Sequence, residues 1–275
     1  MGSEMCIRDS INDNGVLIVG GAKGIGHAIG LEFAKEGTDV VLADIDPQVT
    51  EVASIMAETA TGRISGVVLD ATDYQAVKQL ASNIQEHTDR LNHIVYAAGV
   101  GSNKYGFPFW EMEPADWPFV LEVNLMGAVN VAHAFAPHMQ QCGEGSLLFI
   151  ASIAAQMGSQ TDPPYSAAKA AIVNFMQVVA KDFASYNVRA NAISPGMIQT
   201  TLNKSVWAAW NERQDEADKK SYEDWAGEKI STICPLGRWQ EPSDIGKMAV
   251  FLASKAAKNV TGQTVNVDGG IIMHS

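Results

Sequence analysis

Basic side chains are scarce in this sequence. Its 275 residues include 19 Lys and Arg against 31 Asp and Glu, a formal net charge of −12. Binding to nucleic acid or to an anionic membrane surface needs an excess of Lys and Arg to neutralise phosphates. The charge balance therefore disfavours both, and we expect neither partner. A small anionic ligand held by backbone amides remains compatible with it.

Cysteine is also rare. Cys6, Cys142 and Cys234 are far apart and lack the spacing of metal ligands. An odd, sparse set of cysteines is typical of a reducing compartment rather than of a disulfide framework. We therefore expect a cytoplasmic protein with no bound metal.

Long apolar runs are missing as well: none approaches the roughly 18 residues of a membrane-spanning helix. Residues 1–14 have no apolar core of the kind found in signal peptides. We interpret residues 1–14 as a disordered leader and residues 15–275 as a single domain. The content of 47% hydrophobic residues is enough for a sizeable core, and 18% charged residues argue against long disordered tails.

Short aliphatic and β-branched runs alternate with segments of helical periodicity, as in repeated βαβ units. Most runs are continuously apolar, which is typical of parallel strands covered on both faces. The predicted strands are residues 16–19, 40–43, 65–69, 93–96, 146–151, 189–193 and 264–267. The predicted helices are residues 26–36, 47–60, 74–87, 114–139, 167–185 and 243–253.

Residues 201–233 break this alternation. They are polar, helical in composition and too long for an ordinary connection between two elements. We interpret them as an inserted helical lid over a substrate. Trp207 and Trp210, three residues apart, either line a substrate pocket or anchor the lid on the rest of the protein, and the sequence favours neither.

The first strand runs directly into a glycine-rich turn, GGAKGIG. Glycines here allow positive φ angles and let backbone amides approach a pyrophosphate at the N-terminus of the following helix. A glycine-rich turn alone is weak evidence, but the strand before it and the helix after it strengthen the assignment. The candidate cofactor contacts in the turn are Gly20, Lys23, Gly24, Ile25 and Gly26.

Asp44 ends the second strand, 18 residues after Gly26. A carboxylate there accepts hydrogen bonds from the hydroxyls of an adenosine ribose and repels a ribose phosphate. Lys23 favours that phosphate, but Ile45 supplies no arginine to hold it. The balance predicts NAD rather than NADP as cofactor. The alternative is that Asp44 merely caps the next turn.

Tyr165 and Lys169 lie four residues apart at the start of a predicted helix, so both side chains share one helical face. A free tyrosine titrates near 10, and a nearby ammonium favours the phenolate. Ser152 follows the fifth strand, at the edge of the sheet where open α/β folds bind ligands. Taken alone, Tyr165 and Lys169 could be a pair on an exposed helical face, and Ser152 could be an ordinary turn residue.

Together these motifs resemble the short-chain dehydrogenase/reductase family, over roughly residues 15–273. The matched positions are Gly20, Gly24 and Gly26 in the cofactor turn, Asp70, Asn124, Ser152, Tyr165, Lys169, the segment 195–200 and the ending VDGG at 267–270. Val19 replaces the family's threonine, and Tyr96-Ala97 replaces its Asn-Asn pair before Ala98 and Gly99. These departures bear on turn rigidity more than on chemistry.

The resemblance implies an α/β fold of the Rossmann type: a doubly wound, seven-stranded parallel sheet with helices on both faces. It implies that Tyr165 is the catalytic acid/base, that Lys169 binds the nicotinamide ribose, that Ser152 orients the substrate oxygen and that Asn124 anchors a proton-relay water. The further cofactor contacts it implies are Asp70, Ala71, Ala98, Gly99, Pro195, Gly196, Ile198 and Thr200.

The expected activity is NAD(H)-dependent interconversion of a secondary alcohol and a ketone, by a homotetramer that acts on a small molecule. Within enzymes, the alternative is a 3-oxoacyl thioester reductase. From another class, the alternative is a dinucleotide-sensing regulator without catalysis, which the retained Ser152, Tyr165 and Lys169 argue against. The sequence does not name the substrate.

Overall fold

Seven parallel strands form one sheet in the order β3-β2-β1-β4-β5-β6-β7. The computed structural model describes residues 11–12 and 14–273, so residues 1–10 and 13 of the leader expected at 1–14 lie outside the described residues. The strands are β1 (Gly15–Val19), β2 (Asp39–Asp44), β3 (Ile64–Val68), β4 (Leu91–Tyr96), β5 (Gly145–Ile150), β6 (Val188–Pro195) and β7 (Thr264–Val267). The expected Rossmann-type sheet is confirmed.

Helices cover both faces of the sheet. They are α1 (Gly24–Lys35), α2 (Val49–Ala57), α3 (Tyr74–Asn83), α4 (Pro118–Leu121), α5 (Gly127–Cys142), α6 (Pro163–Phe183), α7 (Thr201–Asn211), α8 (Tyr222–Ile233) and α9 (Pro242–Ala253). Most sequence-based boundaries are correct within a few residues. The predicted start of α6 was wrong by four residues, because this helix begins at Pro163 and not at residue 167.

Two apolar layers hold these helices on the sheet. On one face, Phe135 and Met139 of α5 pack with Ile172 of α6, all fully buried. On the other face, Ile29 and Phe33 of α1 lie in the same buried cluster as residues of α2 and α9. The sheet is thus covered on both sides, which explains why its strands are continuously apolar.

The stretch Pro114–Cys142 is long and apolar enough to cross a membrane by length and composition alone, with a mean hydropathy of 1.4. Its residues Val131, Phe135 and Met139 are instead buried against the sheet. Core helices of globular proteins commonly share this composition. We therefore assign it to the core.

This stretch is not the single helix predicted for residues 114–139. A 3-10 turn at Pro114–Asp116 and the short helix α4 precede a π-helical turn at Glu122–Met126, which leads into α5. A π-helical turn adds a residue within a helix, so the apolar periodicity on either side still looks helical. The prediction of one continuous α-helix was wrong for that reason.

The strand order changes direction between β1 and β4, the neighbours at the centre of the sheet. The chain leaves these two strands in opposite directions, which opens a crevice at their carboxyl ends where such folds bind ligands. The two connections touch: a Cβ added to Gly20 would lie 2.5 Å from the backbone nitrogen of Ala98. The glycine turn after β1 and the segment after β4 therefore border the same region of the fold.

Residues 201–233 form α7, α8 and the segment between them. Trp207 packs edge-on against Tyr222 with ring centroids 5.8 Å apart, and its indole N–H donates to the carbonyl oxygen of Lys220 at 3.1 Å. Trp210 packs against Trp225 at 6.4 Å. The aromatic residues thus hold the two helices to each other.

The core can be tested with a pair of isoleucines. Ile29→Ala removes a fully buried side chain and should lower the free energy of unfolding by about 2–5 kcal/mol, because it leaves a cavity under α1. Ile55→Ala on α2, where the side chain is 60% exposed, should change it by less than about 0.5 kcal/mol. Urea titration measures both, and equal losses would contradict the assigned layers.

Candidate active site

Tyr165 lies in the first turn of α6, at the carboxyl edge of the sheet. Asp162 caps this helix, and its carboxylate accepts a hydrogen bond from the backbone nitrogen of Tyr165 at 3.4 Å. Pro163 occupies the first helical position, where a missing N–H costs nothing. The cap and the proline fix where the helix begins and therefore where the phenol lies.

The phenol of Tyr165 lies next to the hydroxyl of Ser152, which follows β5. Desolvation raises the pKa of Tyr165 to about 12, a hydrogen bond with Ser152 opposes that rise, and the carboxylate of Asp162 adds to it. The Ser152 oxygen also accepts from the backbone nitrogen of Ala154 at 3.1 Å, which fixes its rotamer. Without further positive charge, the phenol therefore keeps its proton at neutral pH.

Lys169 lies one turn further along α6. Its ammonium is buried, donates to the carbonyl oxygen of Ile150 at 2.8 Å and lies 5.5 Å from the centroid of the Tyr165 ring. Burial lowers the pKa of Lys169 to about 8. The sequence correctly placed the two side chains on one face. However, no lowering of the Tyr165 pKa by Lys169 is resolved in this arrangement.

Asn124 sits in the π-helical turn with its side chain fully buried. Its amide nitrogen donates to the carbonyl oxygens of Val100 and Val120, each at 2.8 Å. Its side-chain oxygen has no hydrogen-bond partner among the residues that the structure describes. A Cβ added to Gly99 would lie 2.8 Å from that oxygen and 3.1 Å from the Lys169 nitrogen, so both atoms face the same space.

Tyr96 holds the π-helical turn in place. Its hydroxyl donates to the carbonyl oxygen of Val123 at 2.5 Å, and the side chain is almost fully buried at the end of β4. Burial and the charge of Asp70 raise the pKa of Tyr96, so the hydroxyl remains a donor. In the sequence this residue looked like a degraded family signature. The structure shows what the substituted side chain does: it ties β4 to the turn that carries Asn124.

The glycine turn between β1 and α1 fits a dinucleotide. Gly20 and Gly24 have φ angles of 87° and 60°, and a Cβ on Gly26 would lie 2.0 Å from the Gly20 carbonyl oxygen. A Cβ on Gly24 would meet nothing within 4 Å, so the turn is open on that side. The N-cap residue of α1, Lys23, makes no side-chain capping hydrogen bond. Its first amides thus suit a pyrophosphate.

Asp44 makes the turn-capping contacts that were the alternative to ribose binding. One carboxylate oxygen accepts from the backbone nitrogen of Ala22 and the other from that of Asp46, each at 3.0 Å. It therefore caps the turn after β2 and also supports the glycine turn. A carboxylate has about four acceptor sites, so both oxygens can still accept ribose hydroxyls. Lys23 lies 3.6 Å from the carboxylate of Asp46, a pairing that the sequence did not indicate.

The remaining expected cofactor residues border the same edge. Asp70 accepts from the backbone nitrogen and the hydroxyl of Thr72, at 2.9 and 2.7 Å. In the segment after β6, the Gly196 nitrogen donates to Val267, Ile198 is buried, and Thr200 caps α7. The expected contacts at this edge, from the last residue of β6 and from the segments after β3, β4 and β6, are Asp70, Ala71, Ala98, Gly99, Pro195, Gly196, Ile198 and Thr200.

Two residues near the phenol were missed in the sequence. Asp162 is buried, and its second oxygen accepts from the backbone nitrogen of Ser102 at 2.9 Å. Tyr105 is only 4% exposed, and a Cβ on Gly101 would contact both its hydroxyl and Asp162. An Asp before Pro-Pro is a readable helix-start signal. Nothing in the sequence marks Tyr105.

The two lid tryptophans, Trp207 and Trp210, have different surroundings in the structure. Trp207 packs on Tyr222, which belongs to the lid itself, whereas Trp210 also borders a cavity beside Tyr105. Among the described residues, there is no cluster of His, Cys, Asp or Glu suited to a metal ion.

Comparison with known proteins agrees with this geometry. A family model described as enoyl-(acyl carrier protein) reductase matches residues 20–272. A 3-oxoacyl-(acyl-carrier-protein) reductase of Thermotoga maritima is 30% identical over 94% of this chain and 97% of its own length. An NAD-dependent glycerol dehydrogenase of Listeria innocua is also 30% identical, over 95% of this chain and 94% of its own.

Solved structures are similar over the same range. A short-chain type dehydrogenase/reductase from Mycobacterium ulcerans superposes with a TM-score of 0.83 at 28% identity, covering 95% of this chain and 90% of that one. A gluconate 5-dehydrogenase from Burkholderia cenocepacia, solved with NADP and tartrate, gives 0.82 at 28% identity, covering 96% and 97%.

The role of Tyr96 can be tested by removing one oxygen. Tyr96→Phe should reduce stability by about 1 kcal/mol, because the Val123 carbonyl loses its buried donor. Amide hydrogen exchange of residues 122–127 should accelerate severalfold while exchange in β1 and β5 stays unchanged. Tyr186→Phe, on a side chain that is 40% exposed, is the control. Unchanged exchange in the π-helical turn would show that Tyr96 does not hold it.

Proposed function

The chain belongs to the short-chain dehydrogenase/reductase family, and from this premise we propose that it is an NAD(H)-dependent oxidoreductase that interconverts a secondary alcohol and a ketone. The observation that carries the proposal is the phenol of Tyr165, hydrogen-bonded with Ser152 and followed one turn later by the buried Lys169. We place this chemistry in one domain, residues 15–275, with residues 201–233 as its lid.

Tyr165 is the proposed acid/base. In oxidation its phenolate accepts the proton of the substrate hydroxyl, and in reduction its phenol returns that proton to the carbonyl oxygen. A bound nicotinamide supplies the hydride acceptor or donor and, when oxidised, a positive charge. Ser152 holds the substrate oxygen beside the phenol. Because the pKa of Tyr165 is raised to about 12 in the free protein, the protonated phenol is ready for the reductive direction.

Lys169 and Asn124 have supporting roles in this proposal. The ammonium of Lys169 binds the nicotinamide ribose and favours the phenolate once that ligand is in place. The unpartnered oxygen of Asn124 faces the same space as the ammonium and would anchor a water that relays the proton to solvent. The dinucleotide would lie along the glycine turn, Asp44 and Asp70, with the segment 195–200 beside the nicotinamide.

Assembly and location are also proposals. Phe119, Met126 and Val178 are exposed apolar side chains along the α4–α5 stretch and α6. Contact with other copies of the chain would bury these side chains, which supports a homotetramer assembled through these helices. The free thiols of Cys142 and Cys234 suit the reducing cytoplasm. The partner is a small alcohol or ketone, with no role for nucleic acid or membrane in a chain of net charge −12.

The main rival is reduction of a 3-oxoacyl thioester, the activity in the name of the Thermotoga maritima relative. Acetoacetyl-CoA distinguishes the two, since a secondary-alcohol dehydrogenase should reduce small ketones better than this thioester. The other rival, a regulator that binds the dinucleotide without catalysis, predicts no NADH formation with any alcohol.

Tyr165→Phe is the most direct test of the acid/base. The ring keeps its packing and only the phenolic oxygen is lost, so turnover should fall by about 10²–10⁴. Dinucleotide affinity and melting temperature should stay close to those of the wild type. Activity within a few-fold of wild type would refute the assignment.

Cofactor choice follows from charge at the end of β2. Two like charges about 4 Å apart repel by about 4 kcal/mol at an effective dielectric near 20, so Asp44 opposes a ribose phosphate. Lys23 is exposed and already lies near Asp46, so it offsets only part of this. We expect NAD(H) to be favoured over NADP(H) by at least about tenfold in kcat/KM, or ~1.4 kcal/mol.

The double variant Asp44→Ala/Ile45→Arg should narrow or reverse that ratio in steady-state kinetics. Ile55→Arg, which adds an arginine at another exposed position, should leave it unchanged. A wild-type protein that turns over faster with NADP(H) at equal concentration would show that Lys23 outweighs Asp44.

A further inference from the structure

A cavity of about 430 Å³ lies between the lid and the loop that follows β4. This volume is within the range of small-ligand sites, roughly 300–1,000 Å³. Its walls are mostly aromatic and aliphatic, with Trp210 and Trp225 from the lid and Tyr105 from the loop. Two cationic residues, Arg213 and Lys229, also line it.

Neither cation has an anionic partner in the part of the chain that the structure describes. The guanidinium of Arg213 lies 4.9 Å from the ring centroid of Phe107, and the ammonium of Lys229 lies 4.7 Å from that of Trp225. Among the residues that the structure describes, neither side chain has an ion pair or a hydrogen bond. Stacking on a ring positions a cation while leaving its N–H donors unused.

Among the described residues that line the cavity, one carboxylate is present, that of Glu228. It is engaged elsewhere, because one of its oxygens accepts from the ammonium of Lys220 at 2.5 Å. The cavity therefore presents more unpaired positive than negative charge, in a chain whose net charge is −12. Burial also lowers the pKa of Lys229, and a bound anion would oppose this shift by stabilising the charged ammonium.

The cavity adjoins the proposed acid/base. Tyr105 and Thr161 form part of its wall. Tyr105 is close enough to Tyr165 to raise its pKa, and Thr161 directly precedes Asp162, the cap of α6. The cavity thus shares Tyr105 with the surroundings of Tyr165 and extends from there to the lid.

We propose that Arg213 and Lys229 bind the carboxylate of the substrate, which is therefore a small hydroxy acid or its keto acid rather than a neutral alcohol. This inference rests on the proposed function, since it names the substrate class of the same site. Arginine and lysine bind a carboxylate through charge-assisted hydrogen bonds. The hydroxyl to be oxidised lies at the other end, beside Tyr165 and Ser152.

The test uses hydroxy acids paired with their own primary amides, which keep the hydroxyl groups and lose the charge. Gluconate, lactate and 3-hydroxybutyrate, each with its amide, are assayed with NAD and with NADP. Wild-type kcat/KM for the preferred acid should exceed that for its amide at least tenfold. Arg213→Gln/Lys229→Met should lower the value for the acid at least tenfold, mainly through KM, and change that for the amide less than threefold.

Lys204→Met is the matched control. Lys204 is also a lid lysine stacked on an aromatic ring, 5.5 Å from the centroid of Tyr222, but it does not line the cavity. This variant should keep the preference for the acid. A loss of that preference equal to the loss in the double variant would mean that general lid charge, not the cavity, selects the acid, and would overturn the proposal.

A binding measurement separates this inference from the proposed function. The acids should raise the melting temperature of the wild type but not that of Arg213→Gln/Lys229→Met, and the amides should raise neither. If this holds while no compound is oxidised, the cavity site stands and the proposed activity fails. If oxidation occurs with acids and amides treated alike, the activity stands and the cavity inference is wrong. Absence of both effects contradicts both.

Discussion

Desolvation of a phenol and an ammonium at one edge of the sheet is the constraint on which the site depends. Tyr165 and Lys169 share a face of α6, and burial favours the neutral form of each: it raises the pKa of the tyrosine to about 12 and lowers that of the lysine to about 8. The charged form of each group is therefore disfavoured until a group of opposite charge binds nearby. Such paired, displaced pKa values are typical of acid–base sites.

The fold supplies the surroundings that make this possible. The cap of α6 fixes the position of the Tyr165 phenol, and Ser152 lies beside it at the end of β5. The π-helical turn positions the side-chain oxygen of Asn124 near Lys169. Tyr96 anchors that turn through one buried hydrogen bond. The lid then adds the aromatic and cationic wall. Rigid elements thus hold the proposed proton-transfer groups, while the lid carries the two cations that we propose bind the substrate.

Much of this could be predicted from the sequence, because the relevant signals are local. Continuous apolar runs marked the parallel strands, and the four-residue spacing placed Tyr165 and Lys169 on one face. The position of Asp44 at the end of β2 followed from the same pattern. Non-local features could not be predicted in this way. The π-helical turn leaves the helical periodicity almost unchanged. The pairing of Lys23 with Asp46 depends on the packing of two turns that are distant in sequence. The cavity lined by Arg213 and Lys229 depends on how the lid packs against the loop that follows β4.

The pKa of Tyr165 itself tests the account most directly. Tyrosine labelled with ¹³C at Cζ reports ionisation by NMR, and comparison with Tyr165→Phe assigns the signal among the six tyrosines. In the free protein, Tyr165 should remain protonated well above pH 10, and saturation with NAD should shift its titration to lower pH. A Tyr165 that ionises below pH 10 in the free protein, or whose titration is unmoved by NAD, would contradict the account.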